Sequence, residues 1–178
     1  METAGRPANR AALGAGLDIG AVYESALPRL KRIAAGLGLG AADAEDALHD
    51  SYVALLQRSG QFAEVADATR WLARVMVNRC RLHHRRRRRW LRAAGNWVLR
   101  RRDPRPADDD QAAVRQCLTQ MDGDDVAMLV LRYFCDFNAT EVGEILQVPA
   151  GTVRSRLRRA RLALAEQLLA RGLGDDWA

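Results

Sequence analysis

Lysine is almost absent from this sequence. Of 28 lysines and arginines only Lys31 is a lysine, so the positive charge rests on guanidinium groups that do not lose their proton. Aromatic residues are scarce at 6%, and the three cysteines, Cys80, Cys117 and Cys135, are odd in number and far apart, with no CxxC or Cys/His cluster. That excludes a disulfide framework and a structural zinc site, and fits a reducing cytoplasm. No apolar run approaches the roughly 18 residues of a membrane span, and Met1–Gly20, with Arg6, Pro7 and Arg10 among small residues, lacks the apolar segment of a secretion signal. No polar–apolar alternation marks a strand. At 178 residues the chain is too short for a large multidomain enzyme and suits one ordinary domain or two small ones with separate cores. The expectation is a soluble cytoplasmic protein without metal or cofactor that begins with an unstructured tail over residues 1–19.

What is present is charge, arranged in blocks. The net charge of +6 favours polyanionic partners. Leu39–Thr69 carries six acids against Arg58 alone, and Arg70–Pro106 carries fourteen arginines against Asp103 alone. Asp103–Asp125 then holds seven aspartates against Arg105 and Arg115, and Thr152–Arg171 six arginines against Glu166. Acidic, basic, acidic, basic: the alternation argues for two nucleic-acid surfaces with other contacts between and beside them.

Apolar spacings of three and four predict an all-α fold. Val22, Ala26, Leu30, Ile33 and Leu37 mark a first helix that Pro28 should kink and Gly36–Gly40 should end. A second is expected over Asp43–Arg58, with Ala44, Leu48, Tyr52, Leu55 and Leu56 inward and Asp43, Asp46 and Asp50 on the opposite face. A third runs from near Thr69 into the arginine run. Residues 90–111, with Gly95, Pro104, Pro106 and Asp108–Asp110, read as a linker in which Trp90, Ala94, Trp97 and Val98 could form a short helical turn. About four more helices follow to near Ala170, and 172–178 is a frayed tail. The two helical modules are then 20–89 and 112–171.

In the second module, Asn138 and Glu141 have capping-box spacing. Val142, Ile145 and Leu146 give a short helix its buried face, Val148-Pro149 breaks the chain, and Val153, Leu157, Ala160 and Leu164 line a second helix. This is helix-turn-helix spacing, and Thr152, Arg154, Ser155, Arg158 and Arg159 fall on the outer side, where arginine forks suit phosphates and guanine edges. A solvated amphipathic helix is the bland alternative. Gln147 sits where such turns often place glycine, so it either takes a left-handed conformation or the turn differs.

In the first module, Arg70, Arg74, Asn78, Arg81, Arg85 and Arg88 recur at steps of four and three, a cationic stripe suited to a phosphate backbone. Trp71 beside it and Phe62 in the preceding loop, Phe62–Thr69, could stack or pocket bases. Trp71 could equally be core with Leu72, Val75 and Met76.

In this order the blocks resemble a bacterial sigma factor of the extracytoplasmic-function type, the smallest members of the sigma-70 family. The likeness covers about Val22–Arg89 and Asp122–Leu169. ADAEDALHDSYVALL (Ala42–Leu56) is similar to the acidic helix that docks on the clamp helices of the RNA polymerase largest subunit, which makes Glu45, Asp46 and Asp50 candidate polymerase contacts. TRWLARVMVNRCRLHHRRRRR (Thr69–Arg89) is similar to the −10 melting and recognition helix. That resemblance implies base pocketing at Phe62–Thr69 and places Trp71 and Asn78 at strand-opening and base-contacting positions, with Arg70, Arg74, Arg81 and Arg85 along the strand. DVAMLVLRYFCDFNATEVGEILQVPAGTVRSRLRRA (Asp125–Ala160) is similar to the −35 reader, with Arg154, Ser155, Arg158 and Arg159 at its groove-facing positions. The chain departs from the family pattern at Leu82, where an acid is frequent, at Gln147, and at His83-His84.

The resemblance implies a promoter-specificity subunit with no catalysis of its own, partnered by core polymerase through clamp helices and flap and by promoter DNA, with no membrane insertion and no small-molecule substrate. Members are commonly held inactive by an anti-sigma protein, others by tails, phosphorylation or expression level. Asp108–Asp110 would suit a linker path through cation-lined polymerase channels, or simply form a solvated acidic spacer. Geometry permits two promoter contacts: the ~20 residues between modules reach at most about 70 Å, or about two duplex turns of roughly 34 to 36 Å. A DNA-cleaving recombinase would need a nucleophile beside arginines, a setting that Ser25, Ser51, Ser59, Tyr23 and Tyr52 lack. A stand-alone repressor would leave the acidic helix and the Trp71 stripe without a role.

Overall fold

A computed structural model gives the fold and describes residues 17–93 and 109–173. The elements are α1 Ile19–Gly36, α2 Ala41–Leu56, α3 Val65–Ala93, α4 Asp109–Gln120, α5 Gly123–Leu129, a π-helical turn Val130–Phe134, α6 Ala139–Leu146 and α7 Ala150–Leu169. No strand occurs among the described residues, and no helix among them is long and apolar enough to cross a membrane.

The Asp18 carboxylate starts α1 by accepting from the amides of Gly20 and Ala21 at 2.9 and 3.3 Å, which satisfies two otherwise orphaned donors. The helix begins inside the segment expected to be tail and continues through Pro28. It closes in a Schellman turn in which the Gly38 amide donates to Ala35 and the Leu39 amide to Ala34, both at 3.0 Å. Gly38 supplies the φ of +75° that this turn requires.

The buried residues of α2 are Ala47, Ser51 and Leu55, so of the expected stripe only Leu55 is fully buried. Ala44, Leu48 and Tyr52 are half-buried and Leu56 is exposed. Small side chains let α2 approach its neighbours closely, and the Ser51 hydroxyl satisfies itself by donating to the Ala47 carbonyl at 2.7 Å. Tyr23 of α1 donates to the Leu48 carbonyl at 2.7 Å and packs on the Tyr52 ring at 4.8 Å. Burial, then the neighbouring Tyr52, raises the Tyr23 pKa.

Val65–Thr69, expected as loop, is the first turn of α3, and α3 runs past Arg89 to Ala93. Together with α4, which starts at Asp109, it places helix at both ends of the span read as linker. Residues 94–108, with Gly95, Trp97, Pro104, Pro106 and Asp108, lie outside the described residues, as do the tail residues 1–16 and 174–178.

The two groups of helices do not have separate cores. Leu30, Ile33, Leu72 and Met76 belong to the same buried cluster as Val126–Leu131, Val142, Ile145 and Val153. Gly36 allows a close approach, since a Cβ there would lie 2.8 Å from both Val130 methyls, and the Cys135 thiol packs 3.7 Å from the Arg29 carbonyl. Truncating Met128 or Leu131 to alanine in such a core should cost about 2–5 kcal/mol.

All three cysteines are buried. Burial pushes the Cys80 thiol up to about 12 and, against the pull of Arg32 and Arg29, the Cys135 thiol up to about 11. The expected outcome is that maleimide labelling of the native protein at about pH 8 is slow at every cysteine and becomes fast on denaturation. Immediate labelling of the native protein, read by mass spectrometry, would contradict this burial.

Candidate nucleic-acid interface

The helix α6 opens with the capping box expected at Asn138. Its side chain accepts from the Thr140 and Glu141 amides at 2.9 and 3.0 Å, and the Glu141 carboxylate accepts from the Asn138 amide at 2.8 Å. The helix ends at Gln147, which takes the left-handed conformation, φ 60° and ψ 45°. Behind it, Gly143 is what lets the turn close: a Cβ there would sit 2.6 Å from the Val148 carbonyl oxygen. Val148-Pro149 then leads into α7, which buries Val153, Leu157 and Ala160.

This leaves Thr152, Arg154, Ser155, Arg158 and Arg159 together on the exposed side of α7. Arg161 is also exposed and continues the Arg154–Arg158 row at helical spacing, a position legible from i, i+4, i+7 periodicity but not included in the expected set. Arg156 does something else. Its Nε and a terminal nitrogen bind Asp125 and Asp122 at 2.8 and 3.1 Å, which fixes α7 to the start of α5. Desolvation lowers its pKa, but the hydrogen bond to Asp125 and the charges of Asp125, Asp122 and Asp124 outweigh that and raise it overall.

Phe62, in the loop before α3, meets Trp71 of α3 with ring centroids 5.5 Å apart and planes tilted by 51°. Both are half-buried against the core. The Arg58 guanidinium, from the end of α2, lies 5.2 Å over the Trp71 ring. Arg58 was visible only as the lone cation of an acidic block. Asn78 and Arg85 are exposed. Arg70, Arg74 and Arg81 of the stripe are engaged. Arg70 bridges to Glu144 at 2.7 Å and to Glu141 at 4.0 Å, and also pairs with Asp67. Arg74 donates to the Glu144 carbonyl, and Arg81 bridges to Asp124 at 2.6 Å. The Arg88 side chain lies outside the described residues.

The acids of α2 divide. Glu45 and Asp46 are exposed, whereas Asp50 bridges to Arg79 of α3 at 2.7 Å and Asp43 faces His83 at 3.4 Å. The expected common outer face of Asp43, Asp46 and Asp50 is therefore split, because α3 packs along one side of α2. His84 meets the Leu37 carbonyl at 2.7 Å, so the unusual histidine pair clips α3 to the α1–α2 turn.

Gly143→Ala offers a test of the helix-turn-helix geometry. In an unconstrained helix this change would stabilise by about 1 kcal/mol; against the Val148 carbonyl it should instead lower the melting temperature. A rise would contradict the close approach.

Two family models match: Sigma-70 region 2 over residues 22–90, and Sigma-70, region 4 over residues 111–164. The chain is 30% identical over 126 residues to the RNA polymerase sigma factor SigM of Mycobacterium tuberculosis, of the extracytoplasmic-function group, covering 71% of this chain and 64% of that protein. It therefore spans less than two thirds of that relative. Over 41 residues, 23% of this chain and 22% of the relative, it is 46% identical to SigW of Bacillus subtilis, of the same group. Its fold is similar to that of the sigma factor RpoE from Bartonella quintana, solved with the anti-sigma factor NepR, at TM-score 0.71 and 23% identity, covering 85% of this chain and 97% of that one. CnrH, solved with the cytosolic domain of CnrY, is similar at TM-score 0.66 and 23% identity, covering 85% and 88%. With both regions matched in order on an all-helical fold, the chain belongs to the sigma-70 family, in its extracytoplasmic-function group.

Proposed function

We propose that this protein is a dissociable subunit of bacterial RNA polymerase that directs initiation to particular promoters in the cytoplasm. The observation that carries this reading is the exposed row Thr152, Arg154, Ser155, Arg158 and Arg159 on the second helix of a helix-turn-helix. Such a helix fits the major groove, where arginine forks pair with guanine edges and phosphates, and the −35 element is the duplex it would hold.

A second surface, of different character, suits a separated strand. Phe62 and Trp71 are partly exposed at the start of α3, the helix that also carries Asn78 and the stripe arginines. Stacking contributes roughly 1 to 3 kcal/mol per base, while parting a duplex step costs on the order of 1.4 kcal/mol. Capturing one or two −10 bases thus offsets the opening of a few pairs. Glu45 and Asp46, exposed on α2, would dock on polymerase; Asp50, already held by Arg79, would contribute less than the sequence suggested. Catalysis belongs to polymerase. RpoE, which shares the fold, was solved with an anti-sigma factor, which makes a protein inhibitor a third partner class to consider.

Two outcomes are expected. Arg154→Ala with Arg158→Ala should weaken binding to promoter duplex and flatten its salt dependence by about one log-log unit per lost phosphate contact; fluorescence anisotropy across a salt series measures both, and a wild-type slope would remove these arginines from the interface. Glu45→Arg with Asp46→Arg should abolish capture by core polymerase while circular dichroism stays unchanged. Undiminished capture would contradict the docking role of α2.

A further inference from the structure

Three of the α3 arginines assigned to the separated strand, Arg70, Arg74 and Arg81, already have partners inside the molecule, and all but Asp67 of α3 itself come from the helix-turn-helix half. Arg70 spends its fork on Glu144, Glu141 and Asp67, Arg74 reaches the Glu144 carbonyl, and Arg81 holds Asp124. The same seam carries Arg32 against Asp136 at 3.6 Å and the Arg29 guanidinium 5.3 Å over the Phe137 ring. A phosphate on Arg70, Arg74 or Arg81 would need the donors these groups now occupy, and a strand lying along α3 would need the space that α6 fills.

Resting on the function proposed above, we infer that the acidic edge of α5 and α6, made by Asp124, Glu141 and Glu144, is an internal competitor of nucleic acid: it stands in for strand phosphates and masks α3 until the two halves separate. The bonds that make the mask are of the kind that yields. Glu144 and Asp124 are about half exposed in their pairs, so salt and competing phosphates reach them. The Arg74 Nε is buried with no hydrogen-bond partner among the described residues, so closure leaves one charged donor unsatisfied that an open form would hydrate. Between α1, the start of α3 and α6 the seam is a cleft of about 920 Å³, bordered by Arg29, Arg70, Glu64, Phe137 and Glu141 rather than packed shut. Cys135 supplies a built-in reporter: it is fully buried against the Arg29 carbonyl of α1, so separation of the halves uncovers it.

The test is Glu144→Gln with Asp124→Asn, which keeps shape and removes the two charges that Arg70 and Arg81 hold. A charge-matched control, Glu24→Gln with Glu166→Gln, changes exposed acids away from the seam. Maleimide labelling is read at each cysteine by mass spectrometry, and affinity is read for a fluorescent oligothymidylate strand and for a mixed-sequence duplex. The expected result is labelling of Cys135, but not Cys80, about three- to tenfold faster than in the control, with strand affinity raised by a similar factor over the control. Duplex affinity should match the control, because the α7 row is already exposed. Cys135 labelling equal to the control overturns the internal mask and leaves the promoter-binding reading standing. Faster Cys135 labelling without a gain in strand affinity overturns the mask by a different route, since the released arginines would then not be strand ligands.

Discussion

An arginine cannot shed its charge near neutral pH, so every guanidinium in this chain needs a carboxylate, a carbonyl, an aromatic face or water. With Lys31 as the one lysine, that requirement organises the molecule. Arg79 holds α2 to α3 through Asp50, and Arg156 holds α7 to the start of α5 through Asp122 and Asp125. These struts decide which arginines are left over. Arg154, Arg158, Arg159 and Arg161 remain exposed on α7, as does Arg85 on α3. An exposed single pair such as Arg79–Asp50 contributes only about 0.2–1 kcal/mol. Apolar burial carries stability, and the pairs fix which faces are occupied and which are open.

That apolar burial is shared across the halves. The run Val126–Leu131 packs with α1 residues such as Leu30 and Ile33 in one cluster, and Gly36 admits Val130 because it has no Cβ. The two arginine rows are therefore unequal: the α7 row is open while Arg70, Arg74 and Arg81 of the α3 row are engaged. A promoter protein that must read duplex first and capture a strand second benefits from that order. On the proposed reading, duplex contact would need no rearrangement of α7, whereas strand contact would require Arg70, Arg74 and Arg81 to change partners.

Much of this was legible in the sequence where the determinants are local. The Asn138–Glu141 box, the inward Val153, Leu157 and Ala160 of α7 and its outward arginines follow from spacings of three and four and appear where expected, while Leu164, also expected inward, is half-buried. The left-handed Gln147 was one of two foreseen options. What failed depends on distant neighbours. The α2 stripe was assigned to Ala44, Leu48, Tyr52, Leu55 and Leu56, yet beside Leu55 the buried residues are Ala47 and Ser51, small side chains that hydropathy underweights. Asp50 looked like Asp46 until α3 supplied Arg79. Nothing local distinguishes Arg156 from Arg154, because the difference is Asp122 and Asp125, about thirty residues upstream. The need for glycine at 143 is likewise set by the Val148 carbonyl folding back over it.

The central claim, promoter choice on behalf of polymerase, is tested most directly by transcribing the source organism's genomic DNA with core polymerase, with and without this protein, and mapping RNA 5′ ends. New start sites sharing two upstream motifs, separated by a constant spacing, are the predicted result. Unchanged start sites with folded, inhibitor-free protein would contradict it and leave a DNA-binding protein that acts without polymerase.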